Sequence, residues 1–128
     1  MAWIMYNPNP VGRTVGDCSI RALAKALDTD WSTAYLMAAI NGFSMGDMPS
    51  SNSVWGAVLR QHGFKRAVLP ETCPDCYSIN DFAIEHPQGT YVLGTGTHVV
   101  TMIDGDIYDS WDSLNETPVY FWYKEEQK

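Results

Sequence analysis

The chain has 128 residues, a net charge of −7 and a 45% share of apolar residues, with five Trp and seven Tyr. That length suits one domain, residues 1–128, with one core, and is too short for two large lobes. The acidic balance argues against a nucleic-acid binder, which needs a basic face for phosphates, and no apolar run approaches the roughly 18 residues of a membrane span.

The opening segment, Met1 to Tyr6, is short and is interrupted by Asn7-Pro8-Asn9-Pro10. It lacks the basic and apolar stretches of a secretion signal. Three cysteines, an odd number, fit a reducing compartment better than a disulfide framework. A cytoplasmic protein is expected.

Ile20, Leu23, Ala24 and Leu27 recur at helical spacing, with Asp17 as N-cap and Gly16 freeing the turn before it. Cys18 then takes the first helical position. Unpaired N–H groups and the positive end of the helix dipole favour a thiolate there. At about 100° per residue Cys18 points away from the apolar stripe. Two readings fit it: an activated nucleophile, or a small buried apolar side chain.

Thr29 or Asp30 caps a second helix, which carries Trp31, Ala34, Tyr35 and Ala38 and ends near Asn41-Gly42. The turn-rich run from Ser44 to Ser50 is a candidate cleft wall. A third helix, capped by Ser51 or Ser53, presents Val54, Trp55, Val58 and Leu59 and stops at Gly63.

Cys73-Pro74-Asp75-Cys76 could be half a zinc site completed by His62 or His86, or a redox pair. No second close pair supplies four ligands, so two thiols packing a loop is preferred, with no metal and no cofactor expected. Ser78-Ile79-Asn80-Asp81 reads as a capping box for a short helix with Phe82 and Ala83, closed before Pro87.

Thr90–Leu93 and His98–Ile103 read as strands. Asp104-Gly105 is a two-residue hairpin signal leading into Asp106–Trp111. That turn pairs Ile103 with Asp106, Val100 with Asp109 and His98 with Trp111. His98, Val100, Asp109 and Trp111 then share one side, with Asp109 diagonal to His98. A carboxylate there can fix the imidazole tautomer and stabilise its charged form, while Trp111 shields the bond from water. Asp112 is the weaker orienter. Taken singly, His98 also reads as an ordinary sheet histidine and Asp109 as an edge acid. Val119–Tyr123 forms a last strand before a charged tail.

A cysteine opening a helix, a histidine starting a strand and Asp109-Ser110-Trp111 on the next strand resemble the papain-like cysteine peptidases. In that group the orienting residue is Asn or Asp. Gly16-Asp17-Cys18-Ser19-Ile20-Arg21-Ala22 is similar to the Asn-Cys-x-x-Arg-Ala run of ovarian-tumour-type deubiquitinases, which share the broad fold group. The resemblance covers the nucleophile helix and the last hairpins. It implies an α+β, papain-like fold, N-terminal helices packed on a C-terminal antiparallel sheet. It also implies a Cys18–His98–Asp109 thiol hydrolase acting on a peptide or isopeptide bond of a protein or peptide substrate.

Two departures stand out. Where papain-type enzymes place an oxyanion-binding glutamine the chain has Gly12, and where ovarian-tumour-type enzymes place an aspartate it has Val15. The Cys18 N–H supplies one oxyanion donor, and Asn7, Asn9, Arg13 or Thr14 is the candidate second, with Asp17 and Trp111 as supports. The alternative is a papain-like module that binds another protein without cleaving it.

Overall fold

The structure, a computed structural model, describes residues 2–124. The chain runs β1 (Trp3–Met5), α1 (Cys18–Ala26), α2 (Trp31–Met45), α3 (Asn52–Gln61), β2 (Phe64–Val68), α4 (Ile79–Glu85), β3 (Thr90–Gly94), β4 (Val99–Ile103), β5 (Asp106–Asp109) and β6 (Tyr120–Lys124). The strands form one sheet in the order β1-β5-β4-β3-β6-β2. Two of them, β1 and β2, are absent from the sequence-based expectation. The sheet is also mixed rather than purely antiparallel, because β1 runs parallel to β5.

Local chemistry explains the elements that position the site. Asp104 and Gly105 both take left-handed φ, 51° and 84°, as a tight turn with the right-handed strand twist requires. The register follows: Thr101 faces Tyr108, Met102 faces Ile107 and Ile103 faces Asp106. Asp30 caps α2 by accepting from the Thr33 N–H. Ser78 and Asp81 form the reciprocal capping box that starts α4.

The second helix continues past Asn41-Gly42 to Met45 and ends at left-handed Gly46. Gly42 is not a stop signal. A Cβ there would lie 2.6 Å from the Asp47 carbonyl oxygen, so the glycine lets the following loop fold back onto the helix.

Alternating strand residues feed two cores. Val92, Val99, Tyr120 and Trp122 pack with residues of α1, α2 and α3, while Leu93, Val100, Met102 and Ile107 pack with Ile79, Phe82 and Ala83 of α4. Helices thus cover both faces of the sheet. The first helix is buried on nearly every side, from Ser19 through Ala24, rather than along a single stripe. The Thr101 hydroxyl donates to the Ala22 carbonyl at 2.7 Å and pins this helix to β4.

Cys73 and Cys76 are joined in a disulfide, which overturns the expectation of two free thiols packing a loop and leaves Cys18 as the free cysteine. The odd cysteine count therefore loses its force as an argument about compartment. Among the described residues no helix is long and apolar enough to cross a membrane. The charged tail expected after the last strand lies, from residue 125 on, outside the described residues.

Candidate active site

Cys18 opens α1, His98 immediately precedes β4, and Asp109 ends β5. The two sheet residues sit at the open end of their hairpin, opposite the Asp104-Gly105 turn. His98 Nε2 donates to Asp109 Oδ2 at 2.6 Å. The remaining ring nitrogen serves the Cys18 thiol, to which His98 is hydrogen-bonded. A second donor to the sulfur is the Val99 N–H, which sequence reasoning gave no means of finding.

Asp109 is fully buried, and both its carboxylate oxygens are occupied. Oδ2 also accepts from the Ser113 hydroxyl at 2.7 Å, and Oδ1 accepts from the Ser110 N–H at 2.8 Å. Arg21 Nη2 stands 3.1 Å from Oδ1. Burial alone would raise this carboxyl, but hydrogen bonds from His98 and Ser113 and the positive charges of His98 and Arg21 outweigh it and hold Asp109 below its ordinary range.

The same opposition sets the other two groups. Burial disfavours imidazolium, yet the hydrogen bonds to Asp109 and Cys18 and the negative charge of each push His98 up to about 9. Burial likewise disfavours the thiolate, and hydrogen bonds from His98 and the Val99 N–H, with the charges of His98 and Arg21, lower the Cys18 thiol. The two groups are thus shifted in opposite directions, the thiol toward thiolate and the imidazole toward imidazolium.

Asp17 takes the N-cap position, but its carboxylate does not cap the helix. Oδ1 pairs with Arg21 Nη1 at 2.6 Å, and Oδ2 accepts from Trp31 Nε1 at 2.8 Å. The buried chain Asp17–Arg21–Asp109–His98 thus continues to the sulfur. With the carboxylate drawn aside, the Asp17 side chain leaves the first N–H groups of α1 uncapped, and the positive helix end is presented to Cys18.

The Trp111 ring lies against the His98 imidazole, 4.8 Å between centroids, as a partly exposed cover. Asp112 Oδ1 accepts from the Leu114 N–H at 3.2 Å, so it shapes the following turn. Asn7 and Asn9 are turned onto their own loop. Asn7 Nδ2 donates to the Arg13 carbonyl at 3.3 Å, and Asn9 Oδ1 accepts from the Val11 and Arg13 N–H groups at 3.0 and 3.2 Å.

A cleft of about 160 Å³ opens at the sulfur, lined by Gly16, Cys18 and Ser19, by Gly96, Thr97, His98 and Val99, and by Ser50, Asn52, Trp55 and Tyr120. Asn7, Asn9, Arg13 and Thr14 do not line it. Of the expected wall from Ser44 to Ser50, only Ser50 does. His62 and His86 are hydrogen-bonded to the Val58 and Phe82 carbonyls, and no cluster of three or more metal-ligating side chains occurs among the described residues.

No family model matches the sequence, no curated protein is detectably similar to it, and no solved structure matches it.

Proposed function

We propose that the chain is a papain-like thiol hydrolase that cleaves a peptide or isopeptide bond of a protein or peptide substrate in the cytoplasm. One observation carries the reading: the hydrogen-bonded series Cys18, His98, Asp109 opens on a cleft, with the thiol lowered and the imidazole raised. A pair shifted in opposite directions is what nucleophilic thiol chemistry needs.

The Cys18 thiolate attacks the carbonyl carbon, and its electrons move onto the carbonyl oxygen, held by the Cys18 N–H at the start of α1. The His98 imidazolium gives its proton to the leaving amine as the C–N bond breaks, leaving a thioester. Neutral His98 then takes a proton from water, the resulting hydroxide attacks the thioester, and thiolate leaves to restore the ion pair. Asp109 stays ionised throughout and fixes the ring orientation.

Alkylation of Cys18 by iodoacetamide, followed by mass spectrometry across pH, tests this without a known substrate. The expected result is a Cys18 rate at pH 7 well above that of free cysteine, falling at least tenfold in His98→Ala. A rate equal to free cysteine, unaffected by His98→Ala, would leave a module that binds another protein without cleaving it.

A further inference from the structure

A tetrahedral oxyanion requires more than one donor, and the Cys18 N–H is one. None of the loop residues expected to supply the other lines the cleft. Asn52, the first residue of α3, lines the same cleft as Cys18. Its side chain is oriented by a neighbour in the same wall: Trp55 Nε1 lies 3.1 Å from Asn52 Oδ1. An indole N–H can only donate, so the amide atom facing it must be the oxygen. The Nδ2 group, with both its N–H donors, is therefore fixed on the side of the amide away from the indole. Trp55 is itself buried and stacked on Tyr120, which makes the orienting group rigid. A donor whose direction is set before substrate arrives needs no reorganisation when charge develops.

We propose that Asn52 Nδ2 is the second oxyanion donor, a catalytic residue contributed by α3 and not by the loop before the nucleophile. This rests on the thiol-hydrolase reading. It accounts for the absence of a donor at Gly12 and Val15, because α3 supplies the donor in place of that loop.

The test compares two reactions of Cys18 in the intact chain. Iodoacetamide alkylates the sulfur at a saturated carbon and forms no oxyanion, whereas p-nitrophenyl acetate acylates it through one. Asn52→Ala is expected to lower the ratio of acylation to alkylation about a hundredfold relative to the wild type. Asn52→Asp keeps an acceptor for Trp55 but offers no donor, and the ratio is expected to fall at least as far. A purely structural role predicts that Asn52→Asp keeps the wild-type ratio, and that result would overturn the proposal, as would an unchanged ratio in Asn52→Ala. A wild-type Cys18 that alkylates no faster than free cysteine would instead overturn the hydrolase reading, and the role of Asn52 with it.

Discussion

Arg21, one helical turn beyond Cys18, stands 3.1 Å from the buried Asp109 carboxylate while its other terminal nitrogen holds Asp17 at 2.6 Å. The helix that carries the sulfur is thereby ion-paired to the strand that carries the acid. Both carboxylates and the guanidinium are buried, so the pairing is unscreened by water. Arg21→Met would strip the buried Asp17 carboxylate of its ion-pair partner and leave Asp109 with His98 alone, and is expected to destabilise the fold by about 3–5 kcal/mol. Arg21→Lys retains the charge but not the two-armed span, and should fall in between. Denaturant unfolding measures both, and an Arg21→Met variant as stable as the wild type would disprove the pairing's role.

The pH dependence has a definite sign. Alkylation of Cys18 should decline as pH falls, at a midpoint below the ordinary thiol value of 9.0. Turnover of an amide or ester also needs imidazolium and should decline again as pH rises through about 9. Stability follows the same groups. The His98 contribution is complete below its ordinary 6.5 and is lost as pH climbs through about 9. The Asp109 contribution is present above its ordinary 3.8 and disappears as pH drops through its lower folded value. Thermal unfolding against pH should therefore peak between these limits.

Asp109→Asn keeps the shape but removes the charge that His98 and Arg21 both use. The His98 pKa should drop by more than one unit, visible by NMR of the ring protons. The acid limb of Cys18 alkylation should move toward the ordinary thiol range. Ser113→Ala removes one neutral hydrogen bond to the same carboxylate and should cost about 1 kcal/mol, with a smaller move in the same direction. Equal pH profiles for wild type and Asp109→Asn would remove the acid from the mechanism.

Gly94 offers a steric test of the cleft. A Cβ at this position would clash with the hydroxyl end of the Tyr120 side chain, and Tyr120 lines the cleft wall. Gly94→Ala is expected to destabilise by about 1–3 kcal/mol through overpacking. The displaced ring should also change Cys18 alkylation by a bulky maleimide more than by iodoacetamide. Identical effects on the two reagents would show that Tyr120 does not limit access.

What the sequence revealed follows from how local each signal is. The Asp104-Gly105 turn and the alternation on either side of it depend on neighbouring residues, and they led to the His98–Asp109 diagonal. The Ser78–Asp81 capping box is equally local. The two strands that escaped notice are edge strands whose partners lie far away in sequence: Trp3–Met5 is exposed throughout, and Phe64–Val68 has Lys65 and Arg66 at its middle. Asp17 read as a cap because the position favours one. Its true partner, Arg21, lies four residues on and enters the sequence reading only through the Asn-Cys-x-x-Arg-Ala similarity, which assigns it no partner. The Asp17/Arg21 spacing was the available clue, since a charge amid Ile20, Ala22 and Leu23 needs a buried counter-charge. Asn52 carried no such clue, because its place in the cleft lining depends on how α3 packs.

The backbone of the acid residue closes on the other end of the chain. The Asp109 carbonyl accepts both the Trp3 indole N–H at 3.0 Å and the Tyr6 N–H at 2.8 Å, a clasp formed beside the parallel pairing of Met5 with Asp109. During synthesis these first residues must wait for more than a hundred others before they meet their acceptor. A nascent fragment that stops short of residue 109 can build the nucleophile helix, but it has neither the acid nor anything for its own opening strand to join.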